Sequence, residues 1–167
     1  LETVIGSNDG NVYALDSGGN QLWAFPSAGG GFTGSAALVE IEPNSPGPEP
    51  NYPGLEIVVG GTDGILYVID AQGSLVASFA TPGLNPINTT PAVGDVSTAV
   101  PGPEIVFGCD DGRLYCLNYR NFALNLVWQY PSPPAPALAP IRSSPALGFV
   151  GEYGGVGTQV VFGCDDG

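Results

Sequence analysis

The chain has 167 residues, 43% of them hydrophobic and only 11% charged, and its net charge is −13. That length supports one domain with a genuine core, and the composition excludes a disordered polyelectrolyte. The acidity excludes nucleic acid and anionic membrane surfaces as partners, because both require basic patches.

No apolar run approaches the roughly 20 residues of a membrane-spanning helix, so no membrane insertion is expected within this stretch. Gly 26 and Pro 17 make up about a quarter of the chain. They sit between regular apolar runs and therefore read as turns. No segment has helical periodicity, so almost no helix is predicted.

The first apolar pair is Val4-Ile5, followed by Gly6-Ser7-Asn8-Asp9-Gly10 and then Asn11-Val12-Tyr13-Ala14-Leu15-Asp16. Asp-Gly between two apolar runs is a hairpin signal, since a tight turn needs positive φ. The reading here is a two-residue Asp-Gly turn. The pattern returns three times. Gly60-Gly61-Thr62-Asp63-Gly64 leads into Ile65-Leu66-Tyr67, and Gly108-Cys109-Asp110-Asp111-Gly112 leads into Arg113-Leu114-Tyr115. Gly163-Cys164-Asp165-Asp166-Gly167 closes the sequence. The turn glycines at 10, 64, 112 and 167 stand 54, 48 and 55 residues apart. A period near 50 built from short strands indicates a propeller or a solenoid.

Each hairpin is followed by a further strand: Gln21–Phe25, Leu75–Phe79 and Leu126–Tyr130. A small-residue strand then opens the next unit, at Thr33–Val39, Asn88–Val96 and Ile141–Gly148. The fold expected is all-β, a partial β-propeller of about three four-stranded antiparallel blades from a six- to eight-bladed ring. It is one segment, 1–167, with units at 1–31, 32–86 and 87–140 and a fourth beginning at 141–167. Small residues suit the crowded innermost strand and aromatics the wider periphery. Glu42 to Gly54 holds five prolines in thirteen residues and reads as a surface insertion. An opening in mid-strand and an end on a turn glycine are taken to mean a piece of a longer protein, which would self-associate through its open sheet edges if expressed alone.

Asp16-x-x-Gly-x-x-Leu22-Trp23, after Asp9-Gly10-Asn11-Val12-Tyr13-Ala14-Leu15, resembles the repeat of quinoprotein-type (PQQ-like) propellers. Thr90-Pro91-Ala92-Val93-Gly94-Asp95-Val96 and Ser144-Pro145-Ala146-Leu147-Gly148, each followed by Glu-Ile-Val or Gln-Val-Val, resemble the FG-GAP/VCBS type repeat. The resemblance covers nearly the whole chain. It departs at the Trp position, which is Trp23 and Trp128 but is assigned to Val76 in the second unit, and at Asp16 and Asp70, which become Asn118. A complete quinoprotein enzyme of this resemblance implies an eight-bladed ring and vicinal cysteines, and neither is present. The FG-GAP resemblance implies a calcium loop after the inner strand, for which Asp95 and Glu104 are the candidate ligands. Between them lie only Ser97, Thr98 and backbone carbonyls, and a decayed metal loop is the favoured reading.

Without His or Lys, histidine acid–base chemistry and nucleophilic triads are excluded within the segment, and no catalytic residue or cofactor is expected. Tyr13, Tyr67 and Tyr115 recur after the turn and read as packing between blades. Tyr52, Tyr119 and Tyr153 are placed in loops as candidate contacts. Paired Asp110-Asp111 and Asp165-Asp166 are placed at one rim of adjacent blades. Asn88-Thr89-Thr90 is a formal glycosylation sequon. Cys109, Cys116 and Cys164 read as free thiols, with Cys109 expected opposite Leu114. The function expected is a non-catalytic extracellular, cell-surface or periplasmic module for protein or glycan binding or for surface assembly. The alternatives are a calcium-dependent adhesion propeller and part of a propeller enzyme whose catalytic groups lie elsewhere.

Overall fold

The structure is a computed structural model that describes residues 2–41, 55–97, 100–131, 134–149 and 157–166. Thirteen strands are described, and the only helical element among these residues is a three-residue 3-10 turn at Pro82–Leu84.

The strands form four antiparallel sheets in chain order. The first contains β1 (Thr3–Gly6), β2 (Asn11–Leu15) and β3 (Gln21–Pro26). The second contains β4 (Ala37–Val39), β5 (Glu56–Gly60), β6 (Ile65–Ile69) and β7 (Leu75–Ala80). The third contains β8 (Ala92–Gly94), β9 (Glu104–Gly108), β10 (Leu114–Arg120) and β11 (Ala123–Tyr130). The fourth has β12 (Ala146–Gly148) and β13 (Gln159–Val161). Within each sheet, strands that follow one another in sequence lie side by side.

Burial explains why these runs are strands. Both faces of a middle strand are covered, so β5 and β9 are buried at every residue and read as continuous apolar runs rather than alternating ones. Odd and even residues face opposite neighbours. Val58, Leu66 and Val68 of the second sheet meet Ile105, Phe107, Tyr115 and Leu117 of the third. One step earlier, Val12 and Phe25 meet Ile57, Val59, Tyr67 and Ile69. One step later, Val106, Leu114 and Cys116 pack with Leu147, Val160 and Phe162. Fully burying each such side chain is worth about 1.5–3 kcal/mol. The sheets are thus held as a series of face-to-face layers, each contacting the next.

One glycine in each of the first three sheets permits the connection between layers. A Cβ on Gly6 would stand 2.5 Å from the Cβ of Phe32, and a Cβ on Gly60 or Gly108 would collide with Ile87 or Ile141. These three apolar residues lie on the linkers that leave the outer strands. Each donates its backbone N–H to the residue after the glycine: Phe32 to Ser7 at 2.9 Å, Ile87 to Gly61 at 3.1 Å and Ile141 to Cys109 at 3.1 Å.

The hairpin turns are one residue longer than the two-residue reading. Gly108 pairs with Leu114, and the Cys109 N–H donates to the Arg113 carbonyl at 3.0 Å, leaving Asp110, Asp111 and Gly112 as the loop. Gly112 sits at φ 75° and Gly64 at φ 79°. This is the three-residue hairpin in which a left-handed glycine forms a bulge. Cys109 therefore faces Arg113 and not Leu114, while Cys116 is opposite Val106. The Trp position also moves. Trp23 pairs with Ala14, Trp128 with Cys116, and the equivalent partner of Val68 is Ala77, so Ala77 and not Val76 occupies it. Tyr119 is on β10 rather than in a loop. That strand runs on to Arg120 because Asn121 and Phe122, at φ 52° and 60°, turn it directly into β11.

Candidate binding rim

The Asp of each hairpin turn is held by a recurring clamp. One carboxylate oxygen accepts the backbone N–H two residues on, from Asn11 to Asp9 at 3.0 Å, Ile65 to Asp63 at 3.1 Å and Arg113 to Asp111 at 3.0 Å. The other accepts the tyrosine hydroxyl four residues on, from Tyr13 at 2.7 Å, Tyr67 at 2.6 Å and Tyr115 at 2.5 Å. The rings of Tyr67 and Tyr115 meanwhile lie between sheets. Tyr67 meets Phe25 and Phe32 edge-on, and Tyr115 stacks on Phe107 with centroids 5.3 Å apart. A single side chain thus ties the layer interface to the turn tip.

The electrostatics follow. The Tyr13 hydroxyl holds the Asp9 carboxyl below the usual range. Burial, aided by Asp63, raises the Tyr67 hydroxyl to about 12, and burial raises Tyr115 further still.

A second set of polar groups runs from sheet to sheet along the same rim. Thr33 donates its hydroxyl to the Asn88 side chain at 2.7 Å, and Asn88 donates to Asp110 at 3.1 Å. Arg142 then joins two turns, reaching Asp110 at 3.1 Å and Asp165 at 2.9 Å. Thr33, Asn88 and Arg142 each precede the small-residue strand of their unit, one residue after the linker apolar residue in every case. Asp110 and Asp165 each begin a turn. Behind them, the Ser35 N–H donates to Thr90 at 3.0 Å and the Thr90 N–H to Ser144 at 2.9 Å. Arg142 remains 54% exposed, and its pairing with Asp110 raises its pKa. It offers a cation, flanked by carboxylates, to a partner.

Of the residues singled out from sequence, Asp110 and Asn88 join this network, and Asp111 serves as a clamp acceptor. Asn88 lies outside the strand that follows it, which begins at Ala92, and its side-chain nitrogen is engaged with Asp110. Tyr119 packs half-buried against the apolar layer between the second and third sheets. Tyr52 and Tyr153 lie outside the described residues.

Asp95 is exposed, whereas Glu104 is fully buried. One Glu104 oxygen accepts the N–H groups of Val96 at 2.9 Å and Ser97 at 3.0 Å, closing the loop on itself. Its other oxygen has no partner among the described residues. Glu56 does the same for the Ile41 N–H at 3.0 Å. No group of three or more His, Cys, Asp or Glu with metal-binding proximity occurs among the described residues. The cysteines are free thiols, with Cys109 and Cys116 buried and Cys164 half-buried. Desolvation raises the thiols of Cys109 and Cys116 to about 12.

Sequence reading missed two parts of this rim. The Asp–Tyr clamp is signalled only by the four-residue spacing repeated in every hairpin. Arg142 carried no signal, because its two partners lie 32 and 23 residues away.

No protein-family model matches the chain, and no curated protein matches it. Solved structures do. BamB from Moraxella catarrhalis is similar over 87% of this chain and 40% of its own, with 21% identity and a TM-score of 0.58. The computationally designed Ika8 protein is similar over 99% of this chain and 41% of its own, with 18% identity and a TM-score of 0.63. A chain of the mitotic checkpoint complex is similar over 86% of this chain and 38% of its own, with 14% identity and a TM-score of 0.59. The chain therefore spans about two fifths of the length of these structures. The fold is a β-propeller fold, all-β with four-stranded antiparallel sheets.

Proposed function

We propose that the chain is a non-catalytic β-propeller module that binds a protein partner through the turn rim, and that it works at a cell surface, in an extracellular space or in a periplasm. The observation that supports it most is the contrast within the rim. The clamp of Asp and Tyr repeats unchanged in three sheets, while the adjoining position changes from Thr33 to Asn88 to Arg142. A fixed frame that presents different side chains is the arrangement of a recognition surface. A similar chain comes from a multiprotein complex, in keeping with this reading. The location rests on composition, an acidic chain without Lys. Among repeat families the quinoprotein-type repeat fits well. Asp16 accepts the N–H groups of Gly18 and Asn20, both at 2.8 Å, and Trp23 donates to the Ala71 carbonyl in the next sheet at 3.0 Å.

The test is affinity capture from the source proteome with the wild-type chain, Arg142→Glu, and Leu75→Ser on the outer strand. A protein held by wild type and by Leu75→Ser but lost with Arg142→Glu supports the rim. Capture that Arg142→Glu leaves unchanged refutes it. A calcium-dependent adhesion propeller is a second reading, favoured by the partnerless buried oxygen of Glu104. Calorimetry with Ca²⁺ decides that one, since neither heat nor a change in melting temperature removes it.

A further inference from the structure

The hairpins β2–β3, β6–β7 and β10–β11 turn at the end of the sheets away from the rim, and the third is unlike the other two. In the first two an Asp closes the turn. Asp16 accepts the N–H groups of Gly18 and Asn20, and Asp70 accepts those of Gln72 at 2.9 Å and Ser74 at 2.8 Å. In the third sheet Asn118 stands in place of that Asp, and the strands run on past it. Leu117 pairs with Leu126 as Ile69 pairs with Leu75, and beyond that level Asn118, Tyr119 and Arg120 pair with Asn125, Leu124 and Ala123. The other two hairpins end one step beyond it, with the Asp16 N–H on Asn20 and the Asp70 N–H on Ser74. The third is thus taller by two pairs, about 7 Å at roughly 3.4 Å per residue.

The base of the extension is fixed. Between the first two sheets Trp23 reaches the next hairpin at the Ala71 carbonyl, but the second sheet has Ala77 at the Trp position. Tyr119 and Leu124, opposite each other on the extension, pack on the layer that contains Ala77. The Asn125 side chain donates to the carbonyls of Arg120 at 3.2 Å and Ala123 at 3.0 Å, which holds the tip in shape. Beyond this base, Arg120, Asn121, Phe122 and Ala123 are all exposed, Phe122 by 55%.

Asn121 and Phe122 form a two-residue turn with both residues at positive φ. Such a turn accepts Asn and favours Gly at its second position, and a bulky residue there is strained. Phe122 is too exposed for packing to offset that strain. Arg120 is as conspicuous. Arg142 is paired with two aspartates and Arg113 donates to the Pro131 and Ala135 carbonyls, whereas Arg120 makes no ion pair among the described residues.

We propose that this tip is a site for a partner protein that takes the Phe122 ring into an apolar pocket and meets Arg120 with a carboxylate at the pocket's edge. Charge complementarity names the carboxylate, and an arginine beside an aromatic ring is the kind of anchor that dominates protein interfaces. The fixed base keeps the cost of ordering the tip on binding low. An anionic membrane also offers negative charge and apolar depth, but the chain's net charge of −13 opposes it. The tip and the rim lie at opposite ends of β10, so this site does not rest on the rim's function.

Two measurements test it. Glycine takes the Phe122 conformation freely, so Phe122→Gly should unfold at a urea midpoint no lower than wild type. A lowered midpoint would mean that the ring supports the fold, and it overturns the proposal. In the second measurement the photo-crosslinker p-benzoylphenylalanine replaces Phe122 in the cells that express the chain. The expected adduct is a protein which, once purified, binds the wild-type chain at least about tenfold more tightly than it binds Phe122→Ala or Arg120→Glu. Leu22→Ser, on the outer strand of the first sheet, leaves that affinity unchanged, and added salt weakens it. No adduct, an adduct to lipid alone, or an affinity indifferent to both tip substitutions overturns the proposal.

Discussion

Replacing Gly108 with alanine probes the connection that ties one layer to the next. Gly108 does not need positive φ, so alanine is acceptable to its backbone, and less freedom in the unfolded chain gains about 0.4–1 kcal/mol. The folded state opposes it. The new methyl would collide with the Ile141 side chain and sit 3.0 Å from the Ile141 carbonyl oxygen. Ile141 cannot simply withdraw, because its N–H is bonded to Cys109 at 3.1 Å and its side chain is fully buried. Gly108 is itself fixed, bonded through both its N–H and its carbonyl to the Thr89 hydroxyl. Overpacking of this kind costs about 1–3 kcal/mol, so a net loss of about 1–2 kcal/mol is expected. In a chain of this size each kcal/mol lowers Tm by about 2–4 °C. Urea unfolding of Gly108→Ala, Ile141→Ala and the double variant reads the effect. Truncating Ile141 alone costs about 2–5 kcal/mol, and in that background Gly108→Ala costs less than in the wild type, because the side-chain collision at Cγ2 is gone while the contacts with the Cβ and carbonyl oxygen of residue 141 stay. A stable Gly108→Ala, or strictly additive losses, would refute the close-approach argument.

Two further outcomes follow from the clamp and the thiols. Tyr115→Phe removes a hydroxyl bonded to a carboxylate that water can partly re-solvate, and it should lower stability by about 1 kcal/mol, whereas Tyr13→Phe on the exposed first sheet should cost much less; urea midpoints compare them. The folded state raises the thiols of Cys109 and Cys116 from 9.0 to about 12, so it favours their neutral form. The stability this confers is fully present below pH about 9 and drains away as pH rises towards about 12. Denaturation midpoints against pH should show that decline, and a thiol reagent at neutral pH should reach Cys164 before the other two.

The strand runs, the four-fold repetition and the propeller fold were legible in the sequence because each rests on local pattern: apolar runs, Asp-Gly turns and a period near 50. What depended on counting across a turn was not. A two-residue and a three-residue hairpin share the same Asp-Gly signature, and only the pairing of Gly108 with Leu114 distinguishes them. The Trp position was legible but miscounted: the bulge after Ala14, Val68 and Cys116 is common to all three sheets, and the seven-residue step from Asp16 to Trp23, repeated from Asp70, leads to Ala77 and not Val76. Tyr119 looked like a loop residue because Asn121 and Phe122 are not usual turn formers, yet both take positive φ. The rim was half legible. Its aspartates were visible as turn residues, but their partners come from neighbouring sheets, and sequence distance conceals them.

The path of Phe32, Ile87 and Ile141 over the glycines of the sheet before them means that no sheet is finished by its own strands. A transplantable repeat must therefore be cut late in the linker between outer and inner strands, after Ile87 or Ile141, rather than at the end of the outer strand. A cut before these residues would strip the lid from one glycine and leave an apolar residue dangling from the next piece. Repeats spliced at the later point would carry their own seal, which gives any recombination or permutation of this chain its natural joints.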